Sequence, residues 1–340
     1  MSEVKIIAEV GVNHNGNIDL AQKMIAAAAD CGANFVKFQT YITENIVSNS
    51  APKANYQIKN TKPKETQFEM LKKLELGIED HYQLIKCCKS HGVTFLSSAF
   101  DLASLNFLKN TELPLFKIPS GEITNYPYLK AVSAINKPVI LSTGMATLEE
   151  VERSVKVLLE NGLKKHNITI LHCNTEYPTP YDDVNLLAMK TLSEKFQVAV
   201  GYSDHTIGSE VAIASVALGA IVIEKHFTMD RNLPGPDHKA SMEPDEFKAM
   251  IQAIRNVEKA ISGNGEKIPS RSEIKNISIA RKSVYLSQNL DKGTVLKDHH
   301  LITLRPGTGI SPMRWNDLIG NSINKSLSKG HQITWDDLDL

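Results

Sequence analysis

The chain has 340 residues, of which 42% are hydrophobic and 22% are charged, a composition typical of globular proteins. Its 38 basic residues balance its 38 acidic residues, so no overall field attracts it to nucleic acid or to an anionic membrane, and we expect neither as a partner. The length allows either one domain of roughly 250 residues with a smaller one, or two medium domains.

The four cysteines, Cys31, Cys87, Cys88 and Cys173, show no CxxC spacing. A chain of this length needs no disulfide, so we interpret them as reduced thiols. The N-terminal stretch lacks the apolar core of a signal peptide, and no stretch approaches the ~20 apolar residues that span a bilayer. We therefore expect a cytoplasmic protein without a membrane segment.

Short apolar runs alternate with amphipathic segments up to residue 263. The runs predict eight strands: Lys5–Val10, Phe35–Thr40, Thr94–Phe100, Leu115–Pro119, Val139–Thr143, Ile168–Cys173, Val198–Tyr202 and Ile221–Phe227. The segments between and after them predict helices: Leu20–Cys31, His81–His91, Leu148–Glu160, Val184–Phe196, Ile207–Gly219 and Pro244–Ile261. This alternation favours an α/β fold, a (β/α)8 TIM barrel over residues 1–263. A doubly wound sheet is the alternative, but its usual GxGxxG turn is absent from Gly11–Gly16.

Two segments break the alternation. Tyr41–Glu65 is long and contains two prolines, and a long loop after a barrel strand usually belongs to the active site. Residues 264–280 are polar and predict a linker. Residues 281–340 then predict a second, compact domain of short strands: Ser283–Leu286, Val295–Leu296, Ile302–Leu304 and Gln332–Thr334.

Polar residues cluster where the predicted barrel strands end, which is where a barrel builds its active site. In chain order they are Glu9, Lys37, Gln39, Lys117, Ser120, Glu122, Ser142, Thr143, Asn174, Thr175, Tyr177, Ser203, His205, Glu224 and His226. Ammonium groups and small hydroxyls together suit a phosphate or carboxylate anion. The alternative is that Lys37 and Lys117 only pair with carboxylates such as Glu9 or Glu224.

His205 and His226 end adjacent predicted strands, in a site that already carries carboxylates. Two imidazoles leave positions open on a divalent ion for water and substrate oxygen, which suits Lewis-acid catalysis. With oxygen as the remaining ligands, Mn²⁺ or Mg²⁺ is favoured over Zn²⁺. The alternative is a structural role for both histidines. Asp237 follows in the stiff loop PGPDH, either over the mouth of the barrel or in an ordinary surface turn.

The chain closely resembles the sialic acid synthases, most of all the bacterial N-acetylneuraminate synthases. The resemblance is carried by these motifs: AEVGVNHNG at Ala8–Gly16, KFQT at Lys37–Thr40, KIPSGE at Lys117–Glu122, STGM at Ser142–Met145, HCNTEYPTP at His172–Pro180, GYSDHT at Gly201–Thr206, EKHFT at Glu224–Thr228, GPDHKAS at Gly235–Ser241 and RPGTGISP at Arg305–Pro312. Together these motifs are highly specific. Legionaminate and pseudaminate synthases share most of them.

The resemblance implies a (β/α)8 barrel followed by a C-terminal antifreeze-like (SAF) domain, in a domain-swapped homodimer. It implies condensation of phosphoenolpyruvate with open-chain N-acetylmannosamine, releasing phosphate by C–O cleavage. The alternatives are a legionaminate or pseudaminate synthase that uses a 2,4-diacetamido-6-deoxy sugar, and a barrel that binds a sugar without turning it over. The resemblance also implies a divalent ion, Mn²⁺ in first place, with Mg²⁺ or Co²⁺ as alternatives.

The resemblance also implies roles for individual residues. Phosphoenolpyruvate would be bound by Lys37, Gln39, Lys117, Ser120, Ser142, Ser203 and either Asn174 or Thr175. The metal would be held by His205 and His226. The sugar would be contacted by Tyr177, Asp237, Glu122 and Arg305 of the partner's small domain. Asn60 would contact either the sugar or the phosphate. Glu122 is the first candidate for the general acid or base, and Glu9 is the second.

Overall fold

The computed structural model describes residues 3–61 and 64–339. The chain folds into two compact units, Met1–Ser262 and Gly263–Leu340. Within the described ranges, no helix combines the length and the apolar character needed to cross a membrane. All four cysteines are free thiols, as predicted.

The first unit is a closed barrel of eight parallel strands, in which β8 pairs with β1. The strands are β1 Lys5–Gly11, β2 Phe35–Thr40, β3 Thr94–Ala99, β4 Phe116–Ile118, β5 Val139–Ser142, β6 Ile168–Cys173, β7 Ala199–Asp204 and β8 Val222–His226. Every predicted strand is present, and the strand order follows the sequence. The predicted (β/α)8 barrel is therefore confirmed.

Helices of the first unit cover the outside of the barrel and extend its loops. They are α1 Ile18–Cys31, α2 Thr43–Ile46, α3 Asn55–Asn60, α4 Gln67–Leu74, α5 Ile78–Ser90, α6 Leu102–Lys109, α7 Tyr126–Ile135, α8 Leu148–Glu160, α9 Ala188–Phe196, α10 Glu210–Ala217 and α11 Pro244–Ala260. Helix α9 begins later than the predicted start at Val184. Asn185 has a φ of 46°, a left-handed conformation that no α-helix continues through.

The segment Tyr41–Glu65 differs from the long loop that the sequence predicts, because it contains α2 and α3. Lys62 and Pro63 lie outside the described residues. Thr43 fixes the start of the segment: its backbone N–H and its hydroxyl donate to Glu75 Oε2 at 2.8 and 2.6 Å. These two bonds tie α2 to the end of α4.

Inward-facing positions of the barrel form two layers, because side chains alternate across each strand. The lower layer is apolar and consists of Ile7, Leu96, Ile140, Leu171 and Val222. Two residues further along these strands stand Glu9, Ser98, Ser142, Cys173 and Glu224. A layer of buried apolar side chains therefore lies directly beneath a layer of polar side chains.

The second unit contains α12 Ile274–Ala280, α13 Trp315–Leu318, β9 Ser283–Leu286, β10 Leu301–Leu304, β11 Ser322–Ile323 and β12 Leu338–Asp339. Helix α12 lies inside the segment predicted as a linker. Strands β9 and β10 pair antiparallel, as do β11 and β12. Val295 and Gln332, which were predicted in strands, form only isolated bridges. The core is built on Val284, Leu296, Leu318, Ile323 and Ile333.

A fully buried ion pair joins β7 and β8 on the side of the strands that faces away from the barrel interior. Lys225 Nζ donates to Asp204 Oδ2 at 2.8 Å and to the Thr206 carbonyl at 2.6 Å. Asp204 Oδ1 accepts from the backbone N–H and the hydroxyl of Thr206. Both charged side chains are 0% exposed. The pair fixes the ends of the two strands that carry His205 and His226.

Replacing Lys225 by Met leaves the Asp204 carboxylate buried without its counter-ion. We expect the free energy of unfolding to fall by about 3–5 kcal/mol, measured by urea denaturation. The double variant Asp204→Leu/Lys225→Met, which removes both charges, is expected to recover part of the loss. The control is Lys195→Met, which breaks the exposed pair with Glu152 and should cost much less. Equal losses in the two single variants would contradict this account.

Candidate functional site

A cavity of about 590 Å³ opens at the C-terminal ends of the barrel strands. Most of the site residues predicted from the sequence line it: Glu9, Lys37, Gln39, Lys117, Ser120, Glu122, Ser142, Thr175, Tyr177, Ser203, His205, His226 and Asp237. They come from seven different strands or their following loops. The closed barrel therefore brings together residues that are up to 228 positions apart in the chain (9 to 237).

Strand register sets the floor of the cavity. Glu9 is paired with Lys37 on β2 and with His226 on β8, while Ser203 is paired with Glu224. Residues paired across parallel strands point to the same face of the sheet. Glu9, Lys37 and His226 therefore all point into the barrel interior from three neighbouring strands.

Two lysines and two glutamates form a buried charge cluster on this floor. Lys37 Nζ lies 2.8 Å from Glu9 Oε2 and 3.6 Å from Glu224 Oε2. Lys117 Nζ lies 3.4 Å from Glu224 Oε1, which also accepts a hydrogen bond from Ser203 Oγ at 2.8 Å. The carboxylate pairing considered as the alternative for both lysines is therefore present. Because the cluster lines an open cavity, the pairing is compatible with a bound anion.

The two carboxyl groups of this cluster have different electrostatics. Burial raises the pKa of Glu9 to about 7, although Lys37 beside it favours the charged form. Burial also opposes ionisation of Glu224, but Lys117 and Lys37 outweigh it and hold its pKa below the usual range. Loss of the Glu9 proton therefore removes one positive charge from the floor. Burial also lowers the pKa of Lys117, which has Glu224 beside it.

His205 and His226 face each other at the rim, with their ring centroids 5.3 Å apart. Burial lowers the pKa of His205 to about 4 and that of His226 well below its usual value, so both imidazoles are neutral at pH 7. His205 Nδ1 donates to the carbonyl of Asn174, which leaves the lone pair on Nε2. His226 Nδ1 is buried and has no hydrogen-bond partner among the described residues.

This donor set fits an open metal site better than a closed one. Over residues 3–61 and 64–339, no group of three or more His, Cys, Asp or Glu side chains is arranged to hold an ion. Two neutral imidazoles, one oriented by a backbone carbonyl, match the usual arrangement of metal-bound histidines. Water and substrate oxygens would have to complete the coordination. The predicted metal stays a prediction.

Asp237 and Tyr177 form the wall beside the histidines. Asp237 Oδ2 lies 3.9 Å from His226 Nδ1, too far for a hydrogen bond, and burial raises the pKa of Asp237 to about 7. The Tyr177 ring lies 4.1 Å from that of His205 and 4.9 Å from that of Tyr56, between centroids. The interpretation of PGPDH as a loop over the barrel mouth thus matches its position.

Among the residues to which the resemblance assigns a role, three lie outside the cavity lining. Asn174 Oδ1 accepts from the Glu176 backbone, whereas the neighbouring Thr175 lines the cavity, so the geometry favours Thr175 for substrate contact. Asn60 Nδ2 donates to the Pro236 carbonyl at 2.9 Å and supports the rim. Arg305 is an exposed residue of the second unit, and its Nε donates to the Ala280 carbonyl.

The set predicted from the sequence omits several residues of the site. Glu224 was listed among the polar residues at the strand ends but was given no role of its own, although it contacts Lys37, Lys117 and Ser203. Its position two residues before His226 places it on the same face. Ser98 accepts from Lys37 Nζ at 3.3 Å and is the polar residue that β3 contributes. Cys173 lines the cavity and lies 3.3 Å from Ser120 Oγ. Its thiol gave no distinguishing sequence signal.

The fold and the cavity define a (β/α)8 barrel with a polar, lysine-containing site at the C-terminal ends of its strands. Residues 24–267 match the family model described as the NeuB family, and residues 281–339 match the SAF domain. The chain therefore belongs to the NeuB family. The predicted membership of the sialic acid synthases and the predicted SAF domain are both confirmed, and the chain is an enzyme of the sialic acid synthase type.

Three relatives refine the comparison. The chain is 50% identical to N,N'-diacetyllegionaminic acid synthase from Campylobacter jejuni, over 98% of this chain and 99% of that one. It is 46% identical to N,N'-diacetyllegionaminic acid synthase from Legionella pneumophila, over 98% and 94%. The crystal structure of N-acetylneuraminic acid synthetase from Leptospira borgpetersenii superposes with a TM-score of 0.70 at 34% identity, over 81% of this chain and 90% of that one.

Proposed function

We propose that the protein condenses phosphoenolpyruvate with an open-chain 2,4-diacetamido-6-deoxy sugar and water, forming N,N'-diacetyllegionaminic acid and phosphate. The observation that carries the choice of sugar is the 50% identity to a legionaminic acid synthase along almost the whole of both chains. The N-acetylneuraminate interpretation has weaker support, since the N-acetylneuraminic acid synthetase above is 34% identical. It becomes the second candidate.

The charge cluster supports phosphoenolpyruvate as the anionic substrate. The chain has no net charge, so a ligand with up to three negative charges needs local cations. Lys37 and Lys117 are the buried cations of this floor, and protonation of Glu9 would remove one of the negative charges that oppose anion binding. Ser142 Oγ is buried without a partner among the described residues and can donate to a phosphate or carboxylate oxygen. Ser120 Oγ accepts from the Gly144 N–H, and its proton can be donated to Cys173 Sγ at 3.3 Å or to a phosphate oxygen.

The reaction forms a bond between C3 of phosphoenolpyruvate and the aldehyde carbon of the sugar. The aldehyde oxygen gains a proton, water adds at C2, and the bond from C2 to the phosphate oxygen breaks. A carboxylate must take the proton from the water. Glu122 is half-buried, burial raises the pKa of its carboxyl group, and Asn125 Nδ2 donates to its Oε2. We retain Glu122 for this role, with Glu9 as the alternative.

A divalent ion, with Mn²⁺ preferred to Mg²⁺ or Co²⁺, would be held by His205 and His226. Such an ion supplies Lewis acidity, which polarises the aldehyde oxygen. Asp237 and Tyr177 stand beside the two imidazoles and would orient the sugar. As the resemblance implies, we also propose a domain-swapped homodimer in which Arg305 contacts the sugar's N-acyl group from the partner's small domain.

In the presence of Mn²⁺, the purified protein should release phosphate from phosphoenolpyruvate when 2,4-diacetamido-2,4,6-trideoxymannose is added. We expect much slower release with N-acetylmannosamine, because the two sugars differ at C4 and C6. Faster release with N-acetylmannosamine would instead support the neuraminate interpretation. No release with any sugar, despite measurable binding, would support a sugar-binding protein.

Glu122→Gln should lower kcat by about 10²–10⁴-fold, the usual contribution of a general acid or base. Steady-state phosphate release at saturating substrates measures the effect. Glu9→Gln tests the alternative under the same conditions, and Glu176→Gln, an exposed change on a neighbouring loop, is the control. A nearly normal kcat for Glu122→Gln, together with a large loss for Glu9→Gln, would transfer the role to Glu9.

His226→Ala should weaken Mn²⁺ binding strongly. Losing a residue that only hydrogen-bonds a metal ligand costs ~10–100-fold in metal affinity, and losing the ligand itself should cost more. The free Mn²⁺ signal in electron paramagnetic resonance titrations measures binding without turnover. His172→Ala is the matched control, since His172 Nε2 bonds the Val184 carbonyl and does not line the main cavity. Equal affinities in the two variants would remove His226 from the metal site.

A further inference from the structure

The loop after β1, Asn13-His14-Asn15, is part of the sequence motif at Ala8–Gly16 but has no role in the reaction proposed above. Its three side chains are not among those that line the main cavity in the part of the chain that the structure describes. Asn13 and His14 are nevertheless 0% exposed. Polar side chains buried this completely are normally held by specific hydrogen bonds, so the partners of this loop indicate its task.

Asn13 uses both protons of its amide on the loop that follows β8. Nδ2 donates to the Phe227 carbonyl at 2.9 Å and to Ser241 Oγ at 2.8 Å. Phe227 directly follows His226, and Ser241 stands at the far end of the same loop. The Asn13 side chain therefore connects the two ends of the loop that carries Asp237.

Ser241 links Asn13 to Asp237 by hydrogen bonds. Its hydroxyl accepts from Asn13 and donates to the Asp237 carbonyl at 2.7 Å, while the Ala240 N–H donates to the same carbonyl. The chain of bonds from Asn13 to Ser241 to Asp237 is complete, since each N–H and O–H in it has an acceptor.

Asn15 holds the middle of the loop. Its Oδ1 lies 3.3 Å from His238 Nε2, and His238 Nδ1 is bonded to Thr228 Oγ1 at 2.7 Å. A Cβ atom on Gly235 would come within 2.9 Å of Asn15 Oδ1. The loop therefore packs directly on the segment after β1, without space for a larger residue at this glycine.

The bonds described above hold the backbone of Asp237, not its carboxylate. The carboxylate makes no hydrogen bond to the described residues, and its Oδ2 lies 3.9 Å from His226 Nδ1. Its position over the cavity thus depends on its backbone, which is anchored by Ser241 behind it and by the Asn60 bond to Pro236 before it. A side chain without its own partners is sensitive to small shifts of the backbone that carries it.

We propose that Asn13 is a positioning residue of the enzyme: through Ser241 and Phe227 it holds Asp237 and His226 at the sugar side of the cavity. The inference rests on the proposed function for the identity of the ligand, but its contacts do not depend on that function. Asn13 itself does not line the main cavity.

Asn13→Ala removes both donors but leaves the backbone bonds of the barrel here, such as Phe227 N–H to the Glu9 carbonyl and Met242 N–H to the His226 carbonyl. We expect the fold to persist and the sugar side to loosen. The kcat/KM for the sugar should fall about tenfold, as expected when one or two neutral hydrogen bonds are lost. The KM for phosphoenolpyruvate should stay within about twofold, because Lys37, Lys117 and Ser142 lie on other strands.

The kinetic test compares Asn13→Ala, Ser241→Ala and the double variant. If both residues act through Asp237, the double variant should be about as impaired as the worse single variant. Ser241→Thr keeps the hydroxyl and should restore most of the activity. The controls are Asn34→Ala, which loses a bond from the Ile6 N–H, and Ser215→Ala, which loses a buried bond to the Ala212 carbonyl. Additive losses, or equal increases in both KM values, would overturn the proposal.

Hydrogen exchange tests the same inference without turnover. In Asn13→Ala, the amides of residues 228–242 should exchange faster, while those of Phe35–Thr40 on β2 should be unchanged. Exchange that is unaltered over residues 228–242 would overturn the proposal. If the wild-type protein releases no phosphate with any sugar, the proposed function fails, and the exchange experiment alone decides whether Asn13 holds the loop.

Discussion

The burial of two ammonium groups inside a closed barrel is the constraint on which the site depends. Moving Lys37 and Lys117 out of water costs several kcal/mol each unless carboxylates lie close by. Glu224 satisfies both lysines, and Glu9 adds a second contact to Lys37. The strands that carry these residues must therefore close in one register, because a shift of one residue would turn every side chain to the other face.

The charge cluster separates the barrel interior into regions with different tasks. Beneath it, Ile7, Leu96, Ile140, Leu171 and Val222 exclude water and keep the surroundings of the charges poorly screened. Above it, loops rather than strands position Asp237, Tyr177 and Glu122. This division explains why the floor is held by ion pairs, whereas the rim depends on backbone hydrogen bonds and on supporting residues such as Asn13.

Much of the barrel was predictable because each of its strands is a short apolar run between amphipathic helices, a local pattern. The misjudged segments are those where local pattern and tertiary contact disagree. Helix α9 starts late because Asn185 adopts a left-handed conformation. The segment after β2 contains α3 and also α2, which Thr43 ties to the end of α4. In the small unit, Val295 and Gln332 carry a strand pattern, but the fold pairs each of them at a single bridge. Isolated short segments do not specify their pairing partners.

The sequence by itself determined the fold class, the family and the kinds of side chain at the site. Strand periodicity and the motifs at the strand ends depend only on residues that are close together in the chain. The tertiary structure decided which side chains meet. It placed Glu224 between the two lysines, turned Thr175 rather than Asn174 into the cavity, and joined Asn13 to a loop more than 200 residues away. These contacts depend on strand register and on the closing of β8 against β1, and both arise only when the whole barrel packs.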